Sequence, residues 1–188
     1  TSFSSLSLAA TDGNTKSFDL YCTFETTIDD NEVIQFTVSS ATANSSGSTF
    51  AAGDAGGATN NYGEADDNKL EVTASALAYG TNASNTCLNS AMTAITVNAV
   101  DANSNTDADF TTDIKVTSTG TLTGTPVTAT PANGVASFSS LTHTVAGTSL
   151  TLNAERNDDG TWDVTSSTFD ITPCDNDECV SRSEEHTS

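Results

Sequence analysis

The stretch that decides the fold is residues 95–99, ITVNA, in which apolar and polar side chains alternate. Successive side chains of a β-strand point to opposite faces of the sheet, so this alternation predicts a strand with one buried face. The same pattern recurs at residues 150–154, LTLNA. Helical spacing of apolar residues is not sustained anywhere along the chain. The sequence therefore predicts an all-β fold.

Similar patterns predict the remaining strands. In the second half of the chain they lie at residues 114–116, 127–129, 135–138 and 162–171. In the first half they lie at residues 6–8, 18–24, 34–38 and 70–74. Gly, Asn, Asp and Ser cluster between these stretches, as they do in the turns between strands.

The length and composition fit two small domains better than one large one. The chain has 188 residues, of which 35% are hydrophobic and 6% aromatic, enough to fill thin sandwich cores. We predict an acidic β-sandwich over residues 1–80, a linker over 81–91 and a second sandwich over 92–172. Residues 173–181 would begin the next segment. Residues 182–188, RSEEHTS, match the translation of a common sequencing adapter, and we expect them to be an artefact.

Three turns in the second sandwich carry a family resemblance. They are, in order, Asp101-Ala102-Asn103, Asn133-Gly134-Val135-Ala136 and Ala146-Gly147-Thr148. Residues 92–172 resemble the bacterial immunoglobulin-like domains of invasin and intimin type, as found in tandem repeats of large secreted surface proteins of gliding bacteria. The resemblance implies two tandem immunoglobulin-like β-sandwiches, mostly antiparallel, that act as spacers holding an adhesive tip away from the cell. The resemblance implies no catalytic residues in this sequence.

The charge limits the partners. Five Lys and Arg residues against 25 Asp and Glu give a net charge of -20, which repels nucleic acid and anionic lipid. Carboxylates favour hard cations, calcium above all. We expect neighbouring repeats of the same chain as partners, with cell-surface glycans or proteins as further candidates, no nucleic acid and no membrane insertion.

One acidic loop is a candidate calcium site. Its oxygen-bearing residues occur at every second position: Asp101, Asn103, Asn105, Asp107 and Asp109. Turn chemistry is the alternative, because Asp and Asn bond their own backbone in turns. For the other acidic clusters, such as residues 29–31 and 66–68, we expect solvated turns. Acidic loops of neighbouring modules could also share calcium and stiffen the joint between them.

The four cysteines suit an oxidising, extracellular environment. Only four residues separate Cys174 from Cys179, so this pair is a candidate for a local disulfide. Cys22 falls on the apolar face of a predicted strand, where we expect a buried free thiol. Cys87 falls in the predicted linker, where Cys22, a neighbouring module or nothing could be its partner.

Two further side chains could take part in catalysis or in ligand binding. His143 lies in a predicted strand with no nucleophile or orienting group assigned to it, so we expect an exposed or edge position. Trp162 could stack on a sugar, but core packing is the favoured expectation. We therefore expect no enzyme activity and no cofactor other than calcium. The sequence predicts a non-catalytic structural spacer of a secreted or cell-surface adhesin-like protein; the alternative is a calcium-assisted adhesion or carbohydrate-binding module.

Overall fold

The fold is taken from a computed structural model of the chain, which describes residues 21–34, 69–158 and 162–174. The described residues contain ten strands and no helix, so the all-β prediction is confirmed for this part of the chain. All strand pairs except one are antiparallel. Within the same residues, no helix is present that is long and apolar enough to span a membrane.

The strands form three small sheets. They are β1 (Ala76–Thr81), β2 (Thr86–Cys87), β3 (Ile95–Val100), β4 (Ile114–Ser118), β5 (Val127–Ala129), β6 (Val135–Phe138), β7 (Gly147–Leu150), β8 (Leu152–Arg156), β9 (Val164–Thr165) and β10 (Phe169–Thr172). The sheet orders are β1-β3-β6, β2-β10-β7 and β5-β4-β8-β9. Only Thr151 separates β7 from β8, so the second and third sheets share one continuous stretch of backbone. The fold is β-sandwich-like.

A single apolar core lies between these sheets. Ile95, Val97 and Ala99 of β3 are fully buried, as the alternation of residues 95–99 predicts. Their counterparts in β4 and β8 are also fully buried: Ile114, Val116, Leu152 and Ala154. These residues belong to one hydrophobic cluster. Burial of each large aliphatic side chain stabilises the fold by about 1.5–3 kcal/mol.

The hairpin before β6 is built as its sequence predicts. Asn133 and Gly134 both have positive φ, 50° and 72°, which is the backbone of a type I′ turn. The flanking Ala132 and Val135 exchange backbone hydrogen bonds of 3.0 and 3.1 Å. A Cβ on Gly134 would lie 2.1 Å from the carbonyl oxygen of Asp107. Glycine is therefore required both by the turn and by the close approach of the loop after β3.

The predicted linker over residues 81–91 is wrong. β1 and β2 belong to the sandwich that was predicted to begin at residue 92, because β1 pairs with β3 and β2 pairs with β10. The Asn residues that suggested a linker bind an adjacent edge of the sandwich. The Asn82 side chain accepts the Ser167 N–H, and that of Asn85 accepts the Asp170 N–H, both at 2.8 Å. The sandwich thus begins before residue 81.

Residues 21–24 do not form the predicted strand. They lie in no strand; Tyr21 is 88% exposed, Phe24 is 50% exposed and Cys22 is an exposed free cysteine. The expected buried thiol is therefore wrong, since no described strand covers this segment. The predicted strand at residues 6–8, and that at 34–38 apart from residue 34, lie outside the described residues, as does the rest of 1–20 and 35–68.

Cys174 pairs with Cys87 and not with Cys179. Thr172 of β10 lies beside Cys87 of β2 in the one parallel pair, which brings Cys174 to a Cα distance of 5.4 Å from Cys87. Proximity in sequence favoured Cys179, but strand pairing across 87 residues decided the bond. Cys179 and the expected adapter residues 182–188 lie outside the described part of the chain.

The strand directions define two ends of the sandwich. At the proximal pole, Ala76 at the start of β1 lies opposite Val100 at the end of β3. At the distal pole, the Cys87–Cys174 disulfide joins the end of β2 to the residues after β10. The loop over residues 101–109 leaves β3 at the proximal pole.

Candidate functional site

The first half of the loop over residues 101–109 is a turn. The Asp101 Oδ1 accepts the backbone N–H groups of Asn103 and Asn105 at 2.8 and 2.9 Å. The Asn105 side-chain amide donates to Asp101 Oδ2 at 2.9 Å. This amide, with the two backbone groups, lowers the pKa of Asp101. Asp101 is therefore used mainly in turn chemistry.

Asn105 connects this loop to an earlier part of the chain. Its Oδ1 accepts the backbone N–H of Ile28 at 3.1 Å, and its Nδ2 donates to the carbonyl of Thr26 at 2.8 Å. The side-chain amide thus offers residues 26–28 the donor and acceptor that a neighbouring strand would offer. Asn105 is 6% exposed, so these bonds form in a buried setting.

Asp30 fixes the same earlier segment to the sandwich. Its Oδ1 accepts the N–H of Val72 at 2.7 Å, and its Oδ2 accepts the N–H of Ala108 at 2.8 Å. Burial alone raises the pKa of Asp30, but backbone N–H groups, that of Val72 first, outweigh burial and lower the pKa below its ordinary value. Asp30 is thus held as a carboxylate.

Asp107 is the buried acid of the loop. It is 7% exposed, and its Oδ2 accepts the N–H of Ala74 at 2.8 Å. Its Oδ1 is buried and has no hydrogen-bond partner among the described residues. The loop holds it in place through the backbone, because the Asp107 N–H donates to the carbonyl of Ala99 at 3.1 Å.

Three carboxylates converge at the proximal pole. One oxygen from each of Asp30, Asp107 and Asp109 lies within 4.8 Å of the others. The close approach of the Asp107 side chain, reinforced by burial and by the charges of Asp107 and Asp30, raises the pKa of Asp109. The charge of Lys69 opposes this rise, and its ammonium group donates to the side chain of Asn31 at 2.9 Å. This cluster, which we call the proximal triad, is the candidate functional site.

The triad contains two of the five residues predicted for a calcium site. The structure separates Asp101, Asn103 and Asn105, which make turn and docking bonds, from Asp107 and Asp109, which join Asp30. Asp30 was expected in a solvated turn. Asp30 does lie in a turn, in which Asn31 has a φ of 62°, but Asp30 is half-buried and not fully solvated. The available signal was the second acidic cluster at residues 29–31, although nothing local indicates which loop it meets.

His143 is buried, so its expected exposed or edge position is wrong. Its Nε2 lies 2.8 Å from the Ser118 hydroxyl, its ring meets Phe169 edge-on, and it is 0% exposed. Burial lowers its pKa. Among the described residues, Nδ1 has no hydrogen-bond partner to orient the ring. The imidazole ring is therefore shielded from solvent. His143 and Ser118 pack beside Gly120, whose N–H donates to the Ser118 hydroxyl.

Trp162 packs against the protein. Its ring stacks on Phe110 with centroids 5.7 Å apart, and the Arg156 guanidinium lies 4.5 Å from its centroid. It is half-buried against the core cluster, in agreement with the favoured expectation of packing. Stacking on a sugar would have to compete with these contacts.

Comparisons with protein-family models, with curated proteins and with solved structures found no match to this chain.

Proposed function

We propose that the chain is a non-catalytic structural spacer of a larger extracellular bacterial protein, built from immunoglobulin-like sandwiches in tandem. The described sandwich is one such module, and residues before it would belong to the preceding one. The proposal rests on the path of the chain through the sandwich.

The strand pairing supports an immunoglobulin-like arrangement. In that fold the first, second, fourth and fifth strands share one sheet, and the third, sixth and seventh share the other; variable-type domains add a further strand to the second sheet. β5, which pairs with β4, corresponds to such an added strand. Here β1, β3 and β6 share a sheet, while the stretch β7–β8 pairs with β9–β10 and, through β8, with β4. Reading β7–β8 and β9–β10 as the sixth and seventh strands gives the immunoglobulin-like order.

The observation that carries the spacer function is the parallel pairing of β2 with β10. Because these strands run the same way, the chain leaves the sandwich at the distal pole, beside Cys87. It enters at the proximal pole, where Ala76 lies opposite the end of β3. A module with its ends at opposite poles extends a tandem array by its own length. The six residues of β3 alone span about 20 Å.

The disulfide supports an extracellular, load-bearing role. Structural disulfides persist in oxidising compartments. The Cys87–Cys174 bond encloses β3 to β10 in one covalent loop. Tension applied along the chain would pass from Cys87 directly to Cys174, so the enclosed strands would carry none of the extension.

Pulling the full chain by its ends tests this role. The 87-residue separation of the cysteines corresponds to roughly 300 Å of extended chain. The oxidised protein should never release this length, whereas the reduced protein should release it in one step when the sandwich unfolds. Release of the full length by the oxidised protein would contradict the proposal.

The alternative, a carbohydrate-binding module, has less support. It predicts an exposed aromatic cluster near Trp162, Tyr62 or Tyr79. Tyr21 and Phe24 are exposed, but Trp162 contacts Phe110 and Arg156, and Tyr79 packs against the core. Tyr62 lies outside the described residues. A glycan array probed with the full chain distinguishes the two, because specific binding that is lost in Trp162→Ala would favour the alternative.

A further inference from the structure

We propose that Asp30, Asp107 and Asp109 bind a calcium ion at the proximal pole, and that the ion fastens residues 26–33 to the sandwich. This inference goes beyond the spacer function and does not depend on it. It adds a ligand and a means of stiffening the point where the preceding chain arrives.

The spacing of the triad fits one ion. Calcium binds oxygen at 2.3–2.6 Å, so two oxygens on the same ion lie at most about 5 Å apart. One oxygen from each of the three carboxylates lies within 4.8 Å of the other two. No rearrangement of the backbone is needed to bring them to a common ion.

The buried oxygen of Asp107 is an independent indication of a ligand. Asp107 is more than nine-tenths buried, and its Oδ1 has no hydrogen-bond partner among the described residues. Buried carboxylate oxygens are normally satisfied, since leaving one unpaired is costly. Its other oxygen is occupied by the N–H of Ala74. A cation at the triad would satisfy the remaining one.

The local charge also requires a counterion. Three carboxylates meet at the triad, while Lys69 bonds to the side chain of Asn31. The hydrogen-bond partners of Asp30 include the backbone N–H groups of Val72 and Ala108, which carry no net charge.

The chemistry of the donors favours calcium. All three are hard carboxylate oxygens, and the cluster includes no nitrogen or sulfur ligand. Calcium accepts irregular coordination completed by water, which can reach the exposed Asp109. Magnesium demands near-ideal octahedral geometry and retains its waters more strongly.

The ion would connect parts of the chain that are distant in sequence. Asp30 belongs to the segment that Asn105 holds through Thr26 and Ile28, and Asp107 and Asp109 belong to the loop after β3. In the apo protein the carboxylates repel each other across this junction. Calcium would convert the repulsion into a common ligand set and lock the incoming segment in place.

Thermal unfolding of the full chain in millimolar calcium and in chelator, at constant ionic strength, tests the proposal. The melting temperature should rise by about 5–10 °C once calcium exceeds its Kd roughly 100-fold. Titration calorimetry should show one site. Asp109→Asn should abolish the rise while raising the melting temperature in chelator, because the amide removes the repulsion. Asp109 is exposed, and the substitution leaves its backbone intact, so this variant should fold even if Asp107→Asn does not.

Glu155→Gln is the matched control. It removes one negative charge from the β4–β8 surface, where Glu155 pairs with Lys115, and it should keep the full calcium response. The proposal is overturned if the wild-type melting temperature does not respond to calcium, or if Asp109→Asn responds as strongly as Glu155→Gln. The second result would mean that calcium only screens the net negative charge of the chain.

Discussion

Removing the Cys87–Cys174 disulfide should lower the free energy of unfolding substantially. We expect Cys87→Ser combined with Cys174→Ser to keep the sandwich fold, because the strands around the bond are held by pairing and by the core. The bond acts mainly on the unfolded chain, which it holds in a closed loop and so deprives of conformational entropy.

The size of this effect follows from the length of the loop. With a separation of 87 residues, the chain-entropy relation gives about 4.6 kcal/mol at 25 °C. Domains of ordinary stability unfold with about 5–15 kcal/mol, so the bond supplies a large part of the total.

Guanidinium unfolding of the oxidised wild type and the double variant measures the difference. Cys22→Ser is the matched control, because Cys22 is free and exposed, and this variant should leave the free energy of unfolding unchanged. The reasoning is refuted if the double variant loses less than about 1 kcal/mol, well below the range for a native disulfide, or if Cys22→Ser loses as much.

Three other perturbations test the core, the hairpin and the buried histidine. Ile95→Ala should cost about 2–5 kcal/mol in denaturant unfolding, because Ile95 is fully buried, whereas Val145→Ala at an exposed position should stay within about 0.5 kcal/mol. Gly134→Ala should cost at least about 2 kcal/mol, clearly more than Gly124→Ala, because both have positive φ but only Gly134 lacks room for a Cβ. Burial lowers the pKa of His143. As the pH falls below the ordinary histidine value of 6.5, His143 is therefore protonated in the unfolded chain while it stays neutral in the folded protein. Stability should therefore fall as the pH drops below that value, and His143→Gln should remove this part of the loss; an unchanged pH profile would sink the account of His143.

Local patterns in the sequence predicted much of the sandwich. The alternation at residues 95–99 and 150–154 identified buried strands, because side-chain direction in a strand depends only on position along it. Asn133-Gly134 identified a turn, because few other residue pairs adopt two successive positive φ values. These features are settled by neighbours in sequence.

Features that depend on distant partners were missed. The polar Asn82 and Asn85 suggested a linker, but their side chains bind the backbone 85 residues away. Asp30 looked like one more solvated turn residue, yet it binds Ala108, 78 residues later. His143 alternates with apolar residues as an edge residue would, but Ser118 and Phe169 enclose it. Such contacts follow from the register and packing of the sheets, which local patterns in the sequence do not specify.

The distance between the two poles tests the spacer account most directly. Fluorescent labels attached through unnatural amino acids at the exposed Ser75 and Pro173 would flank the sandwich in the full chain. The account predicts one narrow distribution of separations beyond about 20 Å, the length of β3. A mean separation below that length, or a broad distribution under oxidising conditions, would contradict it.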